Sequence, residues 1–573
     1  MTESKSQSGG QPQDLARTRA RILHHHFFRR FFDNDTVSFE AEMEVSVVRA
    51  LCFCAVPSLM VAFWLLPCYP NRPELATVAD RYFFVLNSFV AMGVVTTFEW
   101  EMLFPDRADF QILLPLPLQA RELFFAKGRA LLSFLGMFLV ASNIFATVLF
   151  PAVSTGSQGN FFSNVSVHFV SVMLSGIFAA FAMLAIEGIS LCILPGRSLR
   201  LISPVLQAFS ITLLLLLLLL FPLFGSHMQT LLEGHAAFAK FIPPLWFLGL
   251  YEHLLLGNSA PAGAQELANI GLYATASVTL LAFIAYPVAW ARQEKRAIEG
   301  ASQARVQSRG LVFGWLHTTL LRRPQERAVF HFISQTMQRN TRYQVYLAIY
   351  SGVGIALALA SIVTLRFSPD RHLHLALSDL GLHAVLPLLL FWLVLGLKSA
   401  FAFPVDMLAR WVFPMNLLQT GAHRRAANTW VLICCSFLTC AVLVFLCALG
   451  WNTRALTLQA IWGICLSFFL ADVFFVHTSR IPFTQPRLPG RATLPITLTL
   501  YAAAFPAFVL LSVHLEILAE SHWAVLIRVV LCILGLHLLL ELVGKSAKHT
   551  ELSGFSLEET DDSFQTLGLN SYY

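Results

Sequence analysis

Four ionisable side chains, Glu187, Lys398, Asp472 and Arg528, sit inside runs of sequence that are otherwise almost wholly apolar. If those runs are helices in a bilayer, each charge costs roughly 2.5–3.5 kcal/mol at a helix centre on insertion scales, so each needs a compensating role. Glu187 is the most central. A carboxyl there could line a polar route, take part in proton coupling, or hydrogen-bond a neighbouring helix. Lys398 and Asp472 lie nearer one end of their runs, where snorkelling or a mutual ion pair accounts for them. Arg528 is close enough to the end of its run to reach lipid headgroups.

Other chemistry finds less support. His24, His25 and His26 are consecutive, and successive residues on a helix diverge by about 100°, which suits a shared metal poorly. Of ten cysteines, Cys52, Cys54, Cys192, Cys434, Cys435, Cys440, Cys447, Cys465 and Cys532 lie inside apolar runs without metal-ligand spacing, and they read as small buried hydrophobes. The patterns GxxxxGK[ST], HExxH and GxSxG are absent, so the chain carries no P-loop for nucleotide hydrolysis and no signature of those hydrolases. Ser8-Gly9-Gly10-Gln11 spells part of an ATPase signature, but nothing around it resembles the rest of such a domain. The expectation is a chain that is not an enzyme and has no metal or cofactor of its own.

The elements that must position these residues follow from composition. Hydrophobic residues make up 56%, charged residues 13%, and mean hydropathy is +0.65, against about 25% charged in globular domains. The expected class is an all-α polytopic membrane protein. The net charge of +6 does not point to nucleic acid, because the bases fall in short loops between apolar runs and read as topology. A span needs roughly 20 apolar residues. Twelve candidates meet that length: 45–67, 82–104, 131–151, 167–194, 201–225, 270–291, 345–364, 382–403, 431–449, 456–476, 494–515 and 524–543. Every second connection is rich in Lys and Arg, while 152–163 carries no base and 228–269 only Lys240. Both termini are therefore expected in the cytoplasm.

The longest internal loop divides the spans six and six, which suggests two halves related by a pseudo-twofold axis, as in many transporters. The expected organisation is a polar tail (1–20), a first half (21–292), a cytoplasmic linker with a second amphipathic segment (293–343), a second half (344–545) and a tail (546–573). A basic, aromatic segment, RILHHHFFRRFF, leads into the first half and suits an interfacial helix.

One stretch organises the rest. FEWEMLFPDRADFQILLPLPLQARELFFAKGR (98–129) leaves the second span with Glu99 and Glu101 and breaks at Pro105. It then scatters Asp106, Arg107 and Asp109 along an amphipathic segment, turns at Leu114-Pro115-Leu116-Pro117, and re-enters an apolar run after Lys127 and Arg129. Prolines fix φ and remove donors, so the expected form is helix, break, helix, lying flat as a docking surface for a soluble partner. The second half offers a counterpart at 404–426, with Asp406, Arg410 and Trp411. The stretch 241–258 opens with Pro243-Pro244 and is too short to span. It is expected as a re-entrant or interfacial pair on the outer side, with Pro244, Trp246, Tyr251 and Glu252 as its marked residues.

Three motifs carry a family resemblance: FEWEMLFPDRADFQILLPLPLQARELFFAK, P-x-W-F-x-G-x-Y-E from Pro244 to Glu252, and IPFT-x-x-x-LPG from Ile481 to Gly490. Together they resemble bacterial ATP-binding-cassette permeases of the ABC-2 exporter type. The resemblance implies a coupling helix after the second span of each half and outer re-entrant helices before the sixth span. It also implies a separate ATPase polypeptide in two copies, which binds ATP and Mg, and a place in the bacterial cytoplasmic membrane. It assigns Asp106, Arg107, Asp109, Leu116 and Pro117 to the coupling surface. Gln485 follows the IPFT threonine where such permeases often carry cysteine, so no thiol role transfers.

Two other classes compete. Major-facilitator carriers also show twelve spans, but their short G-x-x-x-D-R/K-x-G-R-R loop is matched here only by Asp106-Arg107, so a stand-alone secondary transporter is the alternative. An intramembrane lipid-modifying enzyme would need acids and histidines converging on one cavity, whereas Glu187, Asp472 and His537 lie in distant spans. A large apolar interface between halves would suit a lipid, an amphiphilic drug or a peptide.

Overall fold

The protein is described by a computed structural model covering residues 12–32, 43–69, 72–105, 107–113, 115–154, 160–233, 237–299, 323–367, 373–402, 422–475, 482–483 and 493–553. Its order is α1 (Pro12–Phe32), α2 (Met43–Cys68), α3 (Glu74–Phe98), α4 (Trp100–Leu103), α5 (Arg107–Leu113), α6 (Ala120–Ser154), α7 (Phe161–Ile193), α8 (Gly196–Leu219), α9 (Phe221–Gly225), α10 (Met228–Leu232), α11 (Pro243–Leu256) and α12 (Ala264–Glu299). There follow α13 (Pro324–Arg339), α14 (Thr341–Ile362), β1 (Val363–Phe367), β2 (Leu373–Leu377), α15 (Asp379–Ala402), α16 (Ala422–Ala448), α17 (Thr453–Phe475), α18 (Thr493–Ser521) and α19 (Trp523–Ser553).

The chain is an all-α polytopic membrane protein in class. Eleven described helices are long and apolar enough to span a membrane. The expected first span falls in α2, whose described apolar part is 54–67. One departure from all-helix is a short antiparallel hairpin pairing Val363 with Leu377 and Phe367 with Leu373. Here the apolar run ends and β-branched Val363 and Thr364 follow, residues that pack well on a pleated surface.

Helix ends and apolar boundaries do not coincide. α6 starts at Ala120, eleven residues before the expected span, and its 35 residues make it about 52 Å long at 1.5 Å per residue. That exceeds a hydrocarbon core of about 30 Å, so the turns carrying Arg121, Glu122, Lys127 and Arg129 lie beyond the apolar part. The helix starts here because Gln119 N–H donates to the Glu122 carboxylate at 3.4 Å, half of a capping box. The expected fifth span is interrupted at Leu220, after which α9 begins with Pro222 in its first turn. The connector 480–491 and the segment 312–322 lie outside the described residues except for Pro482 and Phe483.

Two compact units form. The first comprises 1–311, 334–400 and 486–513; the second comprises 312–333, 401–485 and 514–573. In the first, α3, α6, α7, α8, α11 and α12 pack around Phe84, Phe134, Phe150, Leu214 and Phe247, all almost fully buried. A polar seam crosses this core. Asn143 Nδ2 donates to Ser88 Oγ (2.9 Å), Ser88 Oγ to the Val172 carbonyl (2.7 Å), Ser175 Oγ to the Val85 carbonyl (3.0 Å), and Ser58 Oγ to the Ser142 carbonyl (2.8 Å). Small polar residues that let helices approach and hydrogen-bond are the usual glue of membrane bundles. In the same unit α8 packs on α14, where Thr212 Oγ1 donates to the Gly352 carbonyl at 3.2 Å. In the second unit α17 packs on α16 and α19 around Trp462 and Phe475. The Phe483 N–H there donates to the Phe401 carbonyl at 3.0 Å.

Candidate functional site

The stretch 98–129 folds as a pinned base with an exposed tip. Glu99 ends α3 and is buried. Phe104 is extended (φ −110°, ψ 156°) and Pro105 breaks the chain before α5. After α5, Leu116 N–H donates to the Leu113 carbonyl (3.2 Å) and Leu118 N–H to the Leu116 carbonyl (2.7 Å), a turn that leaves Pro115, Leu116 and Pro117 exposed.

The base rests on α12. The Phe104 ring packs against Tyr286 (4.9 Å between centroids), Phe110 meets Trp290 edge-on (5.7 Å), and Phe124 touches Trp290 (5.3 Å). Tyr286 Oη donates to the Leu103 carbonyl at 3.4 Å. Aromatic pairs of this kind add about 0.5–1.5 kcal/mol each beyond their buried area. The lead-in helix α1 closes the other side: Arg30 forms an ion pair with Asp109, which is buried. Lys127, only 1% exposed, lies over the rings of Phe27 (5.1 Å) and Phe31 (4.9 Å). His24 Nε2 meets Ser133 Oγ at 3.3 Å. Burial, and next the positive charge of Arg129, lowers the pKa of His24; burial, then Arg30 and Lys127, lowers that of His26. Exposed on the segment are Ile112 (68%), Leu116 (47%) and Phe125 (52%), together with Gln119, Arg121 and Arg129, and Arg121 lies over the Phe125 ring at 5.6 Å.

The marked residues divide accordingly. Glu99 and Asp109 are interior, Leu116 and Pro117 are at the tip, and Arg107 opens α5. Asp106 and the side chains of Glu101 and Arg107 lie outside the described residues, as do Asp406, Arg410 and Trp411 with the whole of 403–421.

The intramembrane charges each have a local setting. Glu187 is buried on α7 beside the close contact of Gly188 with Ala285 on α12, within electrostatic reach of the Tyr286 hydroxyl. Tyr286 therefore faces both this carboxyl and the base of the 98–129 segment. Lys398 donates to Tyr501 Oη at 3.0 Å and sits over its ring. Asp472 takes His537 Nδ1 at 2.7 Å. Each thus has a partner within its own unit. Arg528 bonds the Ala524 carbonyl of its own helix (3.1 Å) and is exposed.

At the other end of α3 the structure builds a charged cluster that sequence reasoning missed. α11 opens on Pro243 and Pro244, is closed by Gly257 at φ 55°, and is buried all round from Phe247 to Glu252. Gly249 lets it approach α12 closely, since a Cβ there would lie 2.6 Å from that of Leu267 and 2.8 Å from the Ala264 carbonyl oxygen. On α11, Glu252 is 1% exposed and accepts two bonds of 2.8 Å from Arg81 Nη1. Arg81 also lies over the Tyr251 ring (5.7 Å). Beside it Arg72 grips both oxygens of Asp80 at 2.5 Å. Burial pushes the Tyr69 hydroxyl up to about 12, and no hydrogen-bond partner meets it among the described residues. His168 sits among Phe84, Phe150 and Tyr251 with neither ring nitrogen bonded among the described residues. Trp246 Nε1 donates to the Lys240 carbonyl (2.9 Å), and Pro244 is buried. In the second unit Gln459 Nε2 donates to the fully buried Glu516, a further intramembrane acid that sequence reasoning passed over. The missed signal was an acid and a base inside adjoining apolar runs, each of which demands a partner.

Among the described residues no cluster of His, Cys, Asp and Glu could hold a metal ion. Comparison with protein families, curated proteins and solved structures finds no match to this chain.

Proposed function

We propose that this chain is the permease of an ABC exporter of the ABC-2 type, driven by separate ATPase subunits that dock on its cytoplasmic segments. The observation that carries the reading is the 98–129 segment: Pro115, Leu116 and Pro117 are exposed at the tip of a turn whose base is anchored by Asp109, Phe110 and Phe124. A surface that must transmit a push needs an exposed face for the partner and a stiff attachment to spans. The motif resemblance at 98–127, 244–252 and 481–490 supports it independently.

In this mechanism two ATPase copies bind ATP and Mg, close, and press on 98–129 and on its counterpart at 404–426. The tip moves with α12 through Tyr286 and Trp290, and one six-span half rocks against the other. A path then opens outward for a lipophilic or amphiphilic substrate. The chain resides in the bacterial cytoplasmic membrane with both termini inside. Asp109 acts here as a positioning residue, while Leu116 and Pro117 meet the partner together with Asp106 and Arg107.

Charge reversal at Asp106 and Arg107, or Leu116→Asp, abolishes partner-stimulated ATP hydrolysis while leaving membrane insertion intact. Unchanged stimulated hydrolysis in all these variants contradicts the reading. The second reading, a stand-alone secondary transporter, draws on the buried acids Glu187, Asp472 and Glu516; it requires transport driven by an ion gradient with no nucleotide present.

A further inference from the structure

Between the ends of α7 and α12 lies an open pocket that the proposed coupling role does not use. Ile193, Leu194, Pro195, Arg292, Lys295 and Arg296 line a cavity of about 350 Å³. Arg296 Nη2 donates to the carbonyls of Leu194 (2.6 Å) and Leu191 (3.4 Å), neutralising the negative end of α7. Its Nη1 is buried with no hydrogen-bond partner among the described residues. Pro195 is the N-cap of α8 and gives no side-chain cap, so the first amides of that helix also favour an anion. Arg292, Lys295 and Arg296 outnumber Glu294 in the same turns.

What lies beside the pocket distinguishes a lipid from a soluble anion. Ile193 on α7 is 71% exposed. On α12, Ile284 and Val288 precede Arg292 at four-residue spacing, share its face, and are exposed. The cations thus cap an apolar wall that runs back along a membrane span. A free phosphate would use only the cap.

We infer that this pocket is a binding site for the headgroup of an anionic phospholipid, with the phosphate on the exposed Arg292 and Lys295, Arg296 adding its positive charge, and one acyl chain along Ile284 and Val288. Basic pockets between membrane helices bind anionic headgroups through this combination of point charge and apolar contact. The site is independent of whether an ATPase docks.

The test uses the full-length chain in phosphatidylcholine vesicles doped with phosphatidylglycerol, with retained lipid counted by native mass spectrometry. Wild type is expected to retain phosphatidylglycerol over phosphatidylcholine. Arg292→Gln with Lys295→Gln, which spares the structural bonds of Arg296, is expected to weaken retention about tenfold or more, since a single charge-assisted hydrogen bond to the phosphate is worth about one decade in affinity. The charge-keeping exchange Arg292→Lys with Lys295→Arg is expected to restore it, which separates a binding defect from a folding defect. Three results overturn the inference: equal retention by wild type and the Gln variant, equal retention of phosphatidylcholine, or displacement by millimolar inorganic phosphate, which assigns the pocket to a soluble anion.

Discussion

At the scale of single residues, the pair of partly buried Arg81 and buried Glu252 is a sensitive point in the first unit. Removing one partner of a buried ion pair typically costs 3–5 kcal/mol, because the other charge is left uncompensated. Arg81→Met should therefore collapse the yield of folded protein, Glu252→Gln should do less, and the double change Arg81→Met with Glu252→Met should recover much of the loss in a thermal-unfolding assay. Sequence reasoning marked Glu252 but not Arg81, since the partners lie 171 positions apart and no spacing rule joins them. His24 and His26 make a second case. Their folded-state pKa values lie below the usual value near 6.5 because burial and neighbouring bases oppose protonation. The folded state therefore binds fewer protons than the unfolded one, so the stabilisation holds above about 6.5 and is lost as pH falls through the depressed values. Proteolysis of α1 should accelerate on acidification, and His24→Gln with His26→Gln should flatten that dependence.

At the scale of elements, the segment 98–129 separates what a pattern reveals from what it hides. Pro105 and the Pro115–Pro117 turn marked both breaks, because proline acts locally on φ and on the preceding residue. The start of α6 was hidden, because hydropathy reports where lipid begins and not where a helix does. Also hidden was the inward placement of Asp109 and Lys127: an amphipathic reading put charge outward, whereas Arg30, Phe27 and Phe31 from α1 draw both inside. Base and tip should therefore fail differently. Phe110→Ala removes the edge contact to Trp290 at a cost of about 3 kcal/mol, and hydrogen exchange across 107–119 should speed up while the tip chemistry is unchanged. Leu116→Asp should leave that exchange unaltered and remove partner binding. Gly249→Val forces a side chain into the 2.6 Å approach to Leu267. Overpacking of about 1–3 kcal/mol should follow, read as a lower midpoint of thermal unfolding.

At the scale of the whole molecule, composition and apolar run length were enough to read the class, since a span of about 20 apolar residues has few other uses. The hairpin at 363–377 was not legible, because five-residue strands carry no period distinct from a frayed helix end. The six-plus-six organisation and the cytoplasmic termini rest on loop charge and belong to the proposal. Its central claim is that this chain is a gate moved by force generated in another polypeptide. The most direct measurement is Mg-ATP hydrolysis by the affinity-purified chain from its own membranes, wild type against Leu116→Asp. The account predicts that wild type brings down an ATPase subunit with its activity and that Leu116→Asp brings down neither, at equal amounts of inserted chain. Wild-type chain that carries no ATPase, or Leu116→Asp that carries it undiminished, would contradict the account.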